Sequence, residues 1–329
     1  MLLVLSRDDV RQSLPMSQAI EAVKVAFAQL STGQADVPVR VALEATRHNG
    51  VTLFMPAYLS TPDANDQMAV KIVSVFNDNP AQGLPLIHAL VVVVDATTGK
   101  PVAVMDGTCL TALRTGAASG AATDLLARQD AHTAAIFGAG VQGRTQLDAV
   151  CAVRHIREAW VYDVVPEQVD AFAAEMGQRL SLPVKVAATS SEAASQADVI
   201  CTATTSTSPV FDDAAIRPGT HINAVGAYTP QMQEIPTETV LRAKVVIDHR
   251  EASMAEAGDL LIPLRQGRMT GEHIYAELGE IAAGLKPGRV SSDEITLFKS
   301  VGVAVQDVAA AGAVLEAAQR MELGTEVAL

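Results

Sequence analysis

The densest chemistry in the chain lies in Gly138-Ala139-Gly140-Val141-Gln142-Gly143, directly after the apolar run Ala134-Ala135-Ile136-Phe137. A glycine pattern of this kind is weak by itself and gains weight from its context. Here a strand precedes it, a helix follows it to about Val153, and an acid stands about 20 residues beyond it. That acid is Asp163, at the end of Trp160-Val161-Tyr162. Gly138 allows a tight turn, Gly140 lets backbone approach a pyrophosphate, and Gly143 lets the helix press on the sheet. With Ala139, Val141 and Gln142 they form a cofactor-binding loop whose free N–H groups at a helix start favour phosphate. A carboxylate at 163 accepts from both ribose hydroxyls and repels a 2′-phosphate, and no arginine follows it closely. A dinucleotide site is therefore expected, with NAD the preferred cofactor and NADP the alternative.

A second set of residues is cationic. Arg40 lies in Val37-Pro38-Val39-Arg40, Lys71 in Ala69-Val70-Lys71-Ile72-Val73, and Arg114 in Thr111-Ala112-Leu113-Arg114-Thr115. Long cationic side chains are seldom fully buried without a partner. Taken singly, each reads as a snorkelling or ion-paired side chain. Taken together, three cations in largely apolar segments suit a clamp on a small carboxylate, which arginine grips through two parallel hydrogen bonds. His88, His221 and His273 each stand alone, without a second ligand at metal spacing, and no metal is expected. Glu277 and Glu280 fall three apart and read as capping or solvated residues.

The elements that must position these groups change character along the chain. Met16, Ile20, Val23, Phe27 and Leu30 recur at helical steps behind Pro15. Short β-like runs follow at Val37–Leu43, Val51–Met55, Ala69–Val75, Leu86–Val94 and Pro101–Met105, then an Ala-rich helix over Asp106–Arg128. From His132 strands and helices alternate, with strands at Thr133–Phe137, Glu158–Tyr162, Val184–Ala188, Asp198–Thr202, His221–Val225 and Lys244–Ile247. That alternation implies right-handed crossovers and a parallel sheet. The tail over Asp293–Met321, apolar at Ile295, Phe298, Val301 and Val305, reads as one further helix returning to the first domain. The expected fold is α/β: a Rossmann-type parallel sheet domain set between an α+β first domain and the tail helix that returns to it. The boundaries are 1–112 for the outer domain, joined by its C-terminal helix at 303–329, and 113–302 for the inner one.

Bulk properties narrow the partners. The chain has 329 residues, 49% apolar, and a formal charge of −13 without a block of basic residues. Such a field repels phosphate backbones, so no nucleic-acid partner is expected. The segment Met1–Asp9 is too soon charged for a secretory signal. The longest strongly apolar run, Leu84–Val94, is too short to span a bilayer. Cys109, Cys151 and Cys201 lie far apart, fitting free thiols in a reducing cytoplasm.

Several segments in order carry a wider likeness. They are Leu53-Phe54-Met55-Pro56-Ala57-Tyr58, the Lys71 strand, Val104-Met105-Asp106-Gly107 running to Leu113-Arg114-Thr115, and the glycine loop. They continue with His221-Ile222-Asn223-Ala224-Val225-Gly226, Ala276-Glu277-Leu278-Gly279-Glu280 and Phe298-Lys299-Ser300-Val301-Gly302. Nearly end to end, the chain resembles the ornithine cyclodeaminase and mu-crystallin family. The resemblance implies a homodimer, with the Rossmann-type parallel sheet domain inserted in an α+β substrate and dimerisation domain. It implies that Arg40, Lys71 and Arg114 hold a substrate carboxylate beside the nicotinamide, and that Thr204, Val225 and Ser300 line the cofactor or substrate pocket. Where the ornithine cyclodeaminases carry an acid/base Asp, this chain reads Gly226-Ala227-Tyr228, and a phenol is a poor base near neutral pH.

Reduction of a cyclic imine asks less of a base, since a protonated imine needs alignment and charge stabilisation. The expected function is thus an NAD(P)H-dependent reductase of cyclic ketimine carboxylates, taking pyrroline-2-carboxylate to L-proline and piperideine-2-carboxylate to L-pipecolate. Lys71, Arg114 and Tyr228 are the candidate catalytic residues, and Arg40, Lys71, Arg114 and Ser300 the substrate-binding ones. Tyr228 serves as a hydrogen-bond donor or a pocket wall. The alternatives are an ornithine cyclodeaminase, an alanine dehydrogenase, and a non-catalytic binding protein.

Overall fold

Alternating apolar residues fix the first sheet. The computed structural model describes residues 1–60 and 66–328. The early chain lays down β1 (Leu2–Leu5), β2 (Ala35–Asp36), β3 (Val41–Ala45), β4 (Gly50–Leu59), β5 (Gln67–Phe76), β6 (Ile87–Asp95) and β7 (Pro101–Asp106). Their order is β1-β7-β6-β5-β4-β2, with β3 also on β4 and the C-terminal strand Thr325–Val327 on the far side of β1. Neighbours are antiparallel except β1 and β7. Residues directly opposite in such pairs share a face. In this register Met55 faces Lys71, which faces Val91, which faces Met105. Ala57, Ala69, Val93 and Ala103 form the next row, and both rows are buried. Packed over β4, β5 and β6 is the helix Ala304–Arg320, which also meets the helix Met16–Ser31. Lys71 is therefore a charge set into an apolar seam.

The run expected as one strand over Val37–Leu43 is broken. Residues 37–40 are irregular, and β3 begins only at Val41. Pro38 explains it: a residue without an N–H cannot sit inside a ladder. The break puts Arg40 on a loop rather than on a strand.

The second sheet is parallel throughout. It comprises β8 (Thr133–Phe137), β9 (Glu158–Tyr162), β10 (Val184–Val186), β11 (Val199–Thr202), β12 (His221–Ala224), β13 (Lys244–Ile247), β14 (Ile274–Glu277) and β15 (Thr296–Lys299). The order is β10-β9-β8-β11-β12-β15-β13-β14. Every residue of β8, β11, β12 and β15 is buried, as befits strands covered on both faces. The strand order reverses at β8, which has β9 on one side and β11 on the other, the switch point at which open α/β sheets bind ligands beyond their carboxyl ends.

The tail is not one helix. Residues Thr296–Lys299 form a central strand of this sheet, and the helix starts only at Ala304. The apolar steps at Ile295, Phe298, Val301 and Val305 mimic a helical face, but Leu297 is as buried as Phe298. Gly302, at φ +85°, adopts a left-handed conformation that ends the helical path.

Two compact units result, Met1–Arg114 with Val303–Leu329, and Thr115–Gly302. The helix Gly107–Leu126 runs from the first into the second. Among the described residues no helix is long and apolar enough to cross a membrane.

Candidate active site

In the first unit, Lys71, Arg114 and Asp307 form a buried ion cluster. The Lys71 ammonium lies 2.7 Å from Asp307 Oδ2, and Arg114 Nε lies 2.9 Å from Asp307 Oδ1. Arg114 Nη1 donates to Gln306 Oε1 at 2.5 Å. Lys71 and Asp307 are each 1% exposed, so water screens neither charge. Arg40, half-buried on its loop, adds a third positive charge that acts on Lys71. Burial above all, then Arg114 and more weakly Arg40, push the Lys71 ammonium from its ordinary 10.5 down to about 7, against the pull of Asp307. The structure thus brings together all three predicted cations and adds one carboxylate. Lys71 and Arg114 are buried with one carboxylate between them, a dry setting in which charge is worth far more than in water. The Gln306 Nε2 donor, also buried, has no hydrogen-bond partner among the described residues. A small carboxylate would meet both needs.

In the second unit, a cavity of about 620 Å³ opens at the carboxyl ends of β8, β9 and β11. Gly138, Gly140, Asp163 and Thr204 are among its lining residues. The glycines differ in what they permit. Gly138 has φ +101°, a conformation that favours glycine. A side chain on Gly143 would collide with the Gly138 carbonyl oxygen. At Gly140 an added Cβ would meet no atom within 4 Å; its backbone borders open space, as a phosphate cradle requires. Asp163 Oδ2 accepts from the Ala139 N–H at 2.7 Å and Oδ1 from the Val165 N–H at 3.1 Å, which holds the acid against the loop. Ala139, Val141, Gln142, Gly143 and Val225 do not line this cavity. The residues present fit a dinucleotide.

The sequence model of the ornithine cyclodeaminase/mu-crystallin family matches residues 2–322. The chain belongs to that family. A Delta(1)-pyrroline-2-carboxylate reductase of Bacillus cereus is 38% identical over 327 residues, covering 99% of each chain. The solved Thermococcus litoralis Delta(1)-pyrroline-2-carboxylate reductase, in complex with NADH and L-proline, is 46% identical with a TM-score of 0.94, over 99% of this chain and 100% of that one. An archaeal alanine dehydrogenase dimer with bound NAD is 36% identical with a TM-score of 0.91, over 100% and 99%.

In this member of the ornithine cyclodeaminase/mu-crystallin family, the cradle is braced by acids that sequence reasoning missed. Glu234 accepts five hydrogen bonds, from Thr202 Oγ1, the Thr204 N–H and Oγ1, and the N–H groups of Gly226 and Ala227, at 2.6–3.0 Å. Asp259 Oδ1 accepts from the Glu234 and Ile235 N–H groups, and its Oδ2 lies 2.9 Å from Lys299 Nζ. Burial and then Asp259 raise the Glu234 pKa, while Lys299 and the Thr204 donors oppose that rise. Asp248 Oδ2 accepts from Ser300 Oγ and the N–H groups of Val301 and Gly302 at 2.8 Å. The predicted substrate ligand Ser300 thus has its hydroxyl proton committed to Asp248. Tyr228 is 42% exposed. His221 is held between Thr296 Oγ1 and Asn223 Oδ1, with burial pushing it down to about 3, so it stays neutral. Glu277 and Glu280 form a capping box.

Proposed function

We propose that the protein is an NADH-dependent reductase of cyclic ketimine carboxylates, converting pyrroline-2-carboxylate to L-proline and piperideine-2-carboxylate to L-pipecolate. The observation that carries this reading is the buried Lys71–Asp307–Arg114 cluster, in which two cations share one carboxylate. It occurs in a chain 46% identical to a reductase solved with NADH and L-proline.

Arg40, Lys71 and Arg114 bind the substrate carboxylate, and Arg114, anchored by Asp307 and Gln306, is oriented for it. A titration near 7 lets Lys71 hold a proton, or yield one, in the physiological range. Bound NADH supplies the hydride. The loop Gly138–Gly143, Asp163 and Thr204 hold the cofactor, and the Asp163 charge disfavours the 2′-phosphate of NADPH. On the second unit Tyr228 serves as a hydrogen-bond donor or wall, Ser300 as a substrate contact and Val225 as a wall on the cofactor side. The first unit supplies substrate binding and the homodimer contact, in keeping with the dimer formed by the archaeal alanine dehydrogenase. Three free thiols, Cys109, Cys151 and Cys201, accord with a cytoplasmic location.

The test is NADH oxidation, followed at the nicotinamide absorbance, with both cyclic imines and with pyruvate plus ammonia. Turnover on the imines and little on pyruvate is the expected result. Turnover on pyruvate alone would replace this reading with an alanine dehydrogenase, which the 36% identity and full-length fold match favour as the second reading.

A further inference from the structure

In the first unit Lys71 and Arg114 share the carboxylate of Asp307, and the charge of Arg40 also acts on Lys71. Lys71 projects from β5 into the row of Met55, Val91 and Met105, none of which can share its charge. The charged groups that bear on it come from three other elements: Arg114 from the helix Gly107–Leu126, Arg40 from the loop before β3, and Asp307 from the first turn of the helix Ala304–Arg320. Asp307 gives one oxygen to each of two cations, Oδ2 to Lys71 and Oδ1 to Arg114. Its neighbour Gln306 takes a second edge of Arg114. The first turn of this helix therefore sets the spacing between ammonium and guanidinium.

We propose that Asp307 is a positioning residue of the clamp, fixing Lys71 and Arg114 side by side, and that its negative charge sets the pH range in which the clamp accepts a carboxylate. Burial, Arg114 and Arg40 all drive Lys71 toward its neutral form, and only Asp307 holds it charged. Remove that charge and a neutral amine remains at neutral pH, so the clamp loses one of its cations. The acid does more than balance charge. A residue that only filled space here would leave the titration of Lys71 unmoved.

The kinetic arm of the test rests on the reductase reading; the spectroscopic arm does not. The chain has seven lysines, so the 13Cε resonance of Lys71 can be assigned by its loss in Lys71→Met and followed through a pH titration. In the wild type it should titrate near 7, and in Asp307→Asn its midpoint should move toward acid. The kcat/KM for pyrroline-2-carboxylate should then fall roughly tenfold at pH 8 and little at pH 6, mainly through KM. Any titration of the substrate itself is common to both proteins and cancels. Asp307→Glu, which keeps the charge, should restore the wild-type midpoint. If Asp307→Asn does not fold, Asp307→Ser serves in its place with the same expected shift. An unmoved midpoint in the neutral variant, or an activity loss equal at all pH values, would overturn the proposal. No turnover on either imine, with the resonance shifting as described, would discard the reductase reading and leave the role of Asp307 standing.

Discussion

The two units each bury a cluster of charged side chains, and the clusters are near mirror images in sign. In the first, Lys71 and Arg114 share one acid, Asp307. In the second, Glu234 and Asp259 accompany one base, Lys299. Both exclude water: Lys71 and Asp307 are 1% exposed, and Glu234, Asp259 and Lys299 are 0% exposed. The difference lies in what answers the surplus charge. Five protein donors converge on the Glu234 carboxylate, so the negative surplus is satisfied from within. Around Lys71, Asp307 is shared with Arg114, and burial and then Arg114 lower the Lys71 pKa to about 7. A buried ion cluster is weak evidence for stability or for function by itself. On the proposed function the difference in partners separates the two: the second cluster is a clasp, the first a carboxylate site.

The comparison breaks most readily at Arg114. Arg114→Ala removes one cation of the clamp and leaves Asp307 with Lys71 as its remaining partner. The expected loss in kcat/KM is on the order of 1000-fold, as for truncation of one member of a buried charge pair that meets a ligand. The thermal transition should move much less, because Asp307 keeps an ion pair 2.7 Å away. Steady-state kinetics beside a melting curve decides it. A variant that melts early and keeps its turnover would make the first cluster a clasp as well.

At the other cluster the balance should invert. Glu234→Gln replaces one acceptor oxygen with an NH2 group that must face N–H and O–H donors. A buried donor left without its partner costs about 1–3 kcal/mol, more where charge is involved. Unfolding in denaturant should show a loss of about 2–4 kcal/mol. The Michaelis constant for NADH should rise, because Glu234 ties the Thr202–Thr204 segment to Gly226 and Ala227. The carboxylate clamp should bind L-proline as before.

A smaller effect sharpens the comparison through pH. Burial and then Arg114 lower the Lys71 pKa to about 7, and the proposed clamp needs the protonated form. L-proline does not change charge on its carboxylate in this range, so its inhibition constant reports the enzyme. That constant should be flat below pH 7 and rise about tenfold per pH unit above it. A bound carboxylate favours the charged lysine, so under saturating substrate the same limb should appear at higher pH. A limb of the opposite sense, with binding improving as pH rises, would mean that the neutral amine is the binding form.

How far these features were readable without coordinates depended on their range along the chain. Gly138, Gly140, Gly143 and Asp163 form a local pattern, and the strand-loop-helix around them follows from short-range rules. Lys71 and Arg114 stood out only as cations among apolar neighbours. Asp307 and Gln306 gave no signal: Asp307 falls midway along the helix expected over 293–321 and looks like any other acid, and Gln306 meets Arg114 across 192 residues. Glu234, in Met232-Gln233-Glu234-Ile235-Pro236, looks like any surface acid until Thr202, Thr204, Gly226 and Ala227 close on it. The strand Thr296–Lys299 was hidden differently. Four apolar residues at helical steps outweighed a short fully buried run, and periodicity alone cannot separate the two.

The smallest effect concerns a third carboxylate, Asp163, which stands between the two cases. Both its oxygens meet backbone N–H groups, as in the clasp, yet it is half-buried at the edge of a cavity, as a ligand-binding group must be. In the proposed cofactor site its charge would act on a bound dinucleotide in a partly aqueous setting, where two unit charges interact by about 1–4 kcal/mol at contact distance. Asp163→Asn keeps one acceptor oxygen and the side-chain volume while removing the charge. The ratio of kcat/KM for NADH over NADPH should fall about tenfold, chiefly because NADPH improves, and salt should narrow the wild-type preference by screening. An unchanged ratio would show that the acid acts only as a brace for Ala139 and Val165, and would move Asp163 to the side of the clasp.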